Sequence, residues 1–325
     1  EHREPQSTTE PLGHSLGYSV ASYCPDSRYR LLKEILCAPG ESCVLMRCKL
    51  ETSRDWTGKL SLYAVLEPRV DALGGAENSA VQEVAGQRLL VARAGGAWLA
   101  LGASPGFETA TCARAGAGGA LTELAQRFPL EFAGNGALLL TGKPVPTPGG
   151  EFTIGVAFGP SQHAAITALL RCLNVPWQHA RQRFTEQWAR SPSLLPLDRY
   201  STDGGRLQRL SYRVLRAHED KSFPGASLTS LGLGLDGGSD FGRQQTIKTR
   251  DLVQCATGLL AAGDREAPLR ALMFLAAAQR PDGGFPLALA PDGMPCADGL
   301  HHDSASLPIM LRSEERRVGK GCRSR

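Results

Sequence analysis

The apolar residues of this chain change their repeat once, near residue 163, and that change limits the fold more than any other feature. Before it, Phe152, Ile154, Val156 and Phe158 occupy every second position, the period of a half-buried β-strand. Leu60, Leu62, Ala64 and Leu66 repeat the pattern, and residues 87–92 and 97–102 flank Gly95-Gly96, a hairpin signal. Residues 137–141 form another short apolar run, and glycine-rich breaks recur at Gly74-Gly75, Gly116 to Gly119 and Gly149-Gly150. Many short strands separated by turn signals predict an antiparallel β-sandwich rather than a parallel sheet.

Beyond residue 163 the period is helical. Ile166, Leu169, Leu170 and Leu173 share one face, Pro176 interrupts, and Trp177, Phe184 and Trp188 mark a second helix. Pro192 to Pro196 reads as a linker. Leu207, Leu210 and Val214 mark a third helix, and Leu252, Cys255, Ala256, Leu259 and Leu260 a fourth. In that fourth helix Asp251 stands at an N-cap-like position and Gly263 at the end. Leu269, Leu272, Met273 and Ala276 mark another, stopped by Pro281-Asp282-Gly283-Gly284, and Ala305, Leu307 and Ile309 begin a last one. The expected fold class is multidomain β plus α: an antiparallel sandwich over 1–162, a helical linker over 163–202 and a helical bundle or α/α barrel starting over 203–311.

The final stretch, 312–325, has no apolar periodicity and holds six Lys/Arg and two Glu, leaving 30 basic and 30 acidic residues elsewhere. The body is therefore neutral, and no nucleic-acid partner is expected. The stretch reads as a non-native tail, with a natural disordered basic tail as the alternative. The chain lacks an initiator Met and the basic, apolar start of a signal peptide, so it is expected to begin inside a longer protein. No run of about 18 apolar residues occurs, so no membrane span is expected. The nine cysteines include no Cys-x-x-Cys and no zinc-like spacing to His. Most are expected to be buried thiols, without a disulfide framework.

Several motifs follow one another in a recognisable order. His218 to Ala226 (His-Glu-Asp-Lys-Ser-Phe-Pro-Gly-Ala) leads through a glycine-rich loop to Thr249-Arg250-Asp251, and then to Phe274 through Pro286, which contains Pro281-Asp282-Gly283-Gly284. Upstream lie Gly17 to Val20, Arg28 to Glu34 and Leu62 to Pro68. Together these resemble bacterial glucoamylases and glucodextranases, glycoside hydrolase family 15, over nearly the whole chain to about Leu311. The resemblance implies a large sandwich, a helical connection and an (α/α)₆ barrel whose funnel holds the active site. It implies that Arg250 and Asp251 hold the hydroxyls of the terminal glucose, and that Asp303 lines the same site. A guanidinium fork and a carboxylate suit that task, because both make charge-assisted hydrogen bonds to adjacent hydroxyls. Read without the resemblance, Asp251 is a helix cap and Arg250 a surface residue.

Inverting glycosidases need a general acid and a general base. In the family the acid sits in a Trp-Glu-Glu-like segment downstream, and no such segment occurs here. No catalytic residue is assigned, and the chain is expected to be an inactive fragment. Glu219 and Asp220 are set aside as adjacent, solvated carboxylates. Departures from the family pattern also accumulate: Gln244 stands at an aromatic position, Lys248 at a Trp, Leu287 and Ala288 at Gln-Asn, Cys296 and Ala297 at Tyr-Trp, and His302-Asp303-Ser304 at Leu-Asp-Glu. Lost aromatics weaken stacking on sugar faces.

Three further motifs carry less. Gly232 to Gly237 matches a dinucleotide loop without the flanking strand and helix it needs, so no cofactor is expected. Gly102-Ala103-Ser104-Pro105-Gly106 matches a nucleophile elbow, but Pro105 has no N–H to donate. His301-His302-Asp303 lacks convergent partners, so no metal is expected. The expected function is exo-acting, inverting hydrolysis of an α-glucan or maltooligosaccharide by the intact protein. The rivals are a non-catalytic carbohydrate-binding relative and a glycoside phosphorylase of similar architecture. The sequence leaves the oligomeric state and the compartment open.

Overall fold

The computed structural model describes residues 6–68, 78–94, 96–114, 138–189, 201–230, 246–297 and 302–321. The chain divides into two compact units, Glu1–Ala189 and Arg190–Arg325. The strands of the first unit are β1 (Gln6–Pro11), β2 (Tyr18–Tyr23), β3 (Tyr29–Cys37), β4 (Cys43–Thr52), β5 (Ala64–Leu66), β6 (Asn78–Val84), β7 (Gln87–Ala94), β8 (Ala97–Ser104), β9 (Phe107–Arg114), β10 (Leu138–Pro144) and β11 (Glu151–Gly159). Helices α1 (Gln162–Leu173) and α2 (Trp177–Ala189) follow. Eight strands form one antiparallel sheet in the order β1-β2-β3-β4-β11-β8-β7-β6, and β5, β10 and β9 form a second.

Both faces of the large sheet are covered near its centre. On one side Leu90, Ala92, Leu99, Leu101, Phe152 and Ile154 pack with Phe107 and Leu140 of the small sheet. On the other, Leu36, Leu45, Leu89, Val91 and Ala157 pack with Leu169, Leu173, Trp177 and Phe184 of the two helices. This explains why Leu89-Leu90-Val91-Ala92 is apolar without alternation: odd and even positions both lose water. The expected hairpin over 87–102 is present as β7 and β8, paired Ala94 to Ala97 at its tip. Ser104-Pro105-Gly106 turns the chain from the large sheet into β9 of the small one. The alternation from Leu60 yields only the short strand Ala64–Leu66.

Helix α1 starts at Ser161, whose side chain accepts from the Ala164 N–H at 3.1 Å. This satisfies one of the N–H groups that a helix start leaves unpaired. Its fully buried Leu169 rests on Gly102 and Gly155, which face each other across β8 and β11. A Cβ on Gly155 would lie 2.7 Å from Leu169 Cδ1, and one on Gly102 would lie 3.0 Å from its Cδ2. The missing side chains therefore form the notch into which the helix docks. Helix α2 is tied by Glu34, which accepts from Trp177 Nε1 at 3.0 Å and lies 3.4 Å from Arg181 Nε.

In the second unit, α3 (Arg206–Ala217) precedes the short strand β12 (Ile247–Lys248) and α4 (Thr249–Ala261). Then come α5 (Glu266–Ala277), β13 (Ala288–Leu289), β14 (Pro295–Ala297) and α6 (His302–Gly321). The three short strands form one antiparallel sheet. Helices α4, α5 and α6 share a core of Ile247, Leu252, Val253, Ala256, Leu275 and Leu311. Four helices are consistent with part of an (α/α)₆ barrel. Their apolar stripes are not equally covered: Leu207, Leu210 and Val214 of α3 are exposed, whereas Tyr212 is buried. Helix α6 runs on past Leu311 to Gly321, through the stretch that the sequence marks as an unpatterned tail.

Eight cysteines lie among the described residues. Cys43, Cys48 and Cys172 are buried, but Cys37 and Cys296 are exposed and the others are intermediate, so fewer are buried than their apolar settings suggest. No helix among the described residues is long and apolar enough to cross a membrane.

Candidate functional site

The site is built on the first turn of α4. Lys248 occupies the N-cap position in an extended conformation and makes no side-chain capping bond. Thr249 is fully buried, and its hydroxyl donates to the Pro286 carbonyl at 2.5 Å while its N–H donates to the Leu287 carbonyl at 3.1 Å. The turn is thus pinned from below by the segment carrying the Gly283-Gly284 loop. Asp251 lies inside the helix, two residues past its first, and not at the cap as its spacing suggests. A carboxylate in a first turn is favoured by the unpaired N–H groups and by the helix dipole.

Arg250 projects outward and reaches Asp303, the second residue of α6, with Nη1 to Oδ2 at 3.5 Å. The side chains are 62% and 57% exposed. An ion pair this open contributes at most about 1 kcal/mol, so fold stability gives little reason for it. What the pair does is hold a guanidinium fork against a carboxylate on two different helices; Asp251, next to Arg250 in the chain, is half-buried. Such a group can donate to and accept from neighbouring hydroxyls of one ligand. The structure therefore brings Arg250 and Asp303, 53 residues apart in the chain, into contact.

The positions that depart from the family pattern have mixed settings. Lys248, Cys296 and Ala297 are exposed, Ala288 is buried and Leu287 is intermediate. Gln244, His301 and the Gly232 to Gly237 loop lie outside the described residues. Among the described residues no group of three His, Cys, Asp or Glu side chains could hold a metal ion.

Glu219 differs from its expected solvated state. Its carboxylate is clamped by Arg270 and Arg216, whereas Asp220 closes a turn by accepting from the Ser222 and Phe223 N–H groups at 2.7 and 3.0 Å. Asp264 is likewise buried: it caps α5 through the Glu266 and Ala267 N–H groups and accepts from the Tyr212 hydroxyl at 2.8 Å. Burial, and then the bond to Asp264, push the Tyr212 phenol well above its ordinary range. Sequence spacing missed this cluster because its partners come from three separate elements.

A large antiparallel sandwich followed by packed helices, with an open Arg–Asp pair on the helical part, defines a two-part β-plus-α architecture. Residues 1–191 match the family described as Glucodextranase, domain N, and the chain belongs to it. A glucoamylase of Clostridium sp. (strain G0005) is 24% identical over 309 residues, covering 93% of this chain and 44% of that protein. The crystal structure of a bacterial glucoamylase complexed with acarbose superposes with a TM-score of 0.79 at 23% identity, covering 97% of this chain and 48% of the other. The chain thus spans about half the length of these relatives.

Proposed function

We propose that the whole protein is an exo-acting, inverting α-glucan hydrolase and that this chain contributes its sandwich and part of its sugar-binding surface. Arg250 and Asp251 grip the hydroxyls of the non-reducing terminal glucose, and Asp303 aligns the Arg250 fork. The observation that carries the reading is the open contact between Arg250 and Asp303, one residue along the chain from Asp251. Chemistry requires an acid and a base on opposite sides of the glycosidic bond, spaced for a water. Glu219 is unsuited to either role, because a carboxylate held by two arginines neither releases nor takes a proton near neutral pH. The 325-residue chain therefore binds without cleaving.

Titrating the chain with maltotetraose tests this directly. Saturable binding that is lost in Arg250→Ala and Asp251→Asn, with no glucose released, is the expected outcome. Glucose release by the purified chain would overturn the assignment of the acid and base elsewhere. A second reading, a non-catalytic sugar-binding relative, is favoured by the exposed Lys248 at a position where the family carries Trp. The full-length protein separates the two, since only an enzyme releases glucose from maltotetraose. Glucose 1-phosphate formed in the presence of inorganic phosphate would instead mark a phosphorylase.

A further inference from the structure

Glu219 lies outside the candidate site, yet four donors from three sources converge on its carboxylate. Arg270 of α5 grips both oxygens, Nε to Oε1 at 2.6 Å and Nη2 to Oε2 at 2.9 Å. Arg216 of α3 reaches Oε2 at 2.8 Å, and the Gly225 N–H donates to Oε1 at 3.0 Å. Burial alone would raise this carboxyl; the bond from Arg270, the nearby Arg216 charge and the Gly225 N–H outweigh it and hold Glu219 below the usual carboxylate range.

The clamp opens a tightly folded lobe. The Asp220 N–H donates to the Ala226 carbonyl at 2.7 Å, and the Leu228 N–H donates to the His218 carbonyl at 2.9 Å. Gly225 has φ +87°, and a Cβ there would stand 2.2 Å from the Arg270 carbonyl oxygen, so the lobe lies directly on α5. The next residue out of the lobe is Thr229. Its N–H donates to the Thr246 carbonyl at 3.1 Å, and its Oγ1 accepts from the Lys248 N–H at 3.3 Å. Lys248 is the residue on which α4 begins. An unbroken path of hydrogen bonds and short chain therefore leads from the Glu219 carboxylate to the turn that carries Arg250 and Asp251.

We propose that Glu219 is a positioning residue: through its clamp on Arg270 and Arg216 it sets the place of Thr229, and through Thr229 the place of the α4 first turn. The proposal rests on the reading of Arg250 and Asp251 as sugar contacts for its functional meaning, but not for its geometry. Gln at this position keeps the shape and loses the charge that both guanidinium groups require. Lys at position 270 keeps the charge but cannot grip two oxygens at once.

The test uses the whole 325-residue chain, with Leu259→Ala as a control that destabilises the opposite end of α4. Backbone amide exchange and maltotetraose affinity are measured at a temperature where every variant is folded. In Glu219→Gln the amides of Thr229 and Lys248 are expected to exchange at least ~10-fold faster relative to the amides of the middle of α4, as a local opening would make them, and the affinity for maltotetraose to fall by a similar factor. Arg270→Lys should lie between this variant and the native chain. Leu259→Ala should lower the melting temperature and speed exchange throughout the second unit by global opening, without singling out Thr229 and Lys248 and with the affinity unchanged. An acceleration at Thr229 and Lys248 no greater than that across the rest of α4 in Glu219→Gln would overturn the proposal. Should the native chain not bind maltotetraose, the sugar reading fails, and the exchange data alone decide the role of Glu219.

Discussion

One contact in each unit shows two opposite means of seating a helix. In the first, α1 docks because side chains are missing: Leu169 fills the notch over Gly102 and Gly155. In the second, α5 is fastened by charge, with Arg270 on Glu219 and the helix start on Asp264. The first arrangement depends on shape and is indifferent to pH and salt. The second depends on ionisation, and its worth changes with both. The difference teaches where each unit is fragile.

The largest expected effect breaks the shape-based contact. Leu169 is fully buried, and Leu169→Ala should cost about 2–5 kcal/mol, the range for emptying a tightly packed core site. Gly155→Ala alone should cost about 1–3 kcal/mol, since the new methyl meets Leu169 and Leu173 too closely. The two together should be less damaging than their sum, because the alanine methyl occupies space that the shortened residue 169 vacates. Denaturant unfolding of the three variants checks this, and strict additivity would show that the helix does not rest on the glycine notch.

The ionic contact should give way next. Glu219→Gln should cost about 2 kcal/mol, somewhat below the usual figure for breaking a buried pair because the arginines keep some access to water. Its pH dependence follows from the sign of the shift. The folded pKa of Glu219 lies below its unfolded value, so its stabilising share is complete above the unfolded pKa, near 4.3 for a glutamate. It is lost as pH falls through the folded pKa. The pH dependence of unfolding of the second unit below about pH 5 should therefore flatten in Glu219→Gln, while Leu169→Ala leaves the slope as it was. An unchanged slope in Glu219→Gln would place the acid sensitivity in another carboxylate.

Thiol labelling sharpens the same contrast without altering stability. Burial pushes the Cys48 thiol up to about 11, and desolvation also raises Cys112 and Cys255. Only thiolates react with iodoacetamide, so the exposed Cys37 and Cys296 should label first at pH 8. Cys43, Cys48 and Cys172 should label only with unfolding, Cys172 reporting on the α1 seat. Early labelling of Cys172 would mean that α1 lifts off the sheet in the native state.

What the sequence made legible divides along the same line. Local period was enough for β11, for the β7–β8 hairpin and for the apolar faces of α1, α2 and α4, because each depends on neighbours a few residues away. The short β5 was overestimated because alternation shows which residues share a face, not how long a partner strand continues. Arg250 and Asp303 could be named singly from the order of motifs, but their contact needed the fold. Asp251 was misplaced by three positions because Lys248, a poor capping residue, takes the cap. The Glu219 cluster was invisible, since Arg216, Arg270 and the lobe between them meet only after three elements have packed.

The smallest expected effect concerns the clearest amphipathic pattern of all. Leu207, Leu210 and Val214 of α3 are 59%, 44% and 39% exposed, so the stripe that identified the helix is not what holds it. Tyr212 does that from the opposite face, through Asp264. Leu210→Gln should therefore change unfolding free energy by less than about 0.5 kcal/mol, as for surface positions generally. Tyr212→Phe, which leaves the buried Asp264 Oδ2 with only the longer contact to Arg216 Nε at 3.7 Å, should cost about 1–3 kcal/mol. Three adjacent apolar side chains open to water also favour association, so Leu210→Gln should reduce concentration-dependent sedimentation while leaving the melting curve in place. A loss of stability in Leu210→Gln as large as that in Tyr212→Phe would mean that the stripe is covered in solution and that α3, like α1, is held by shape.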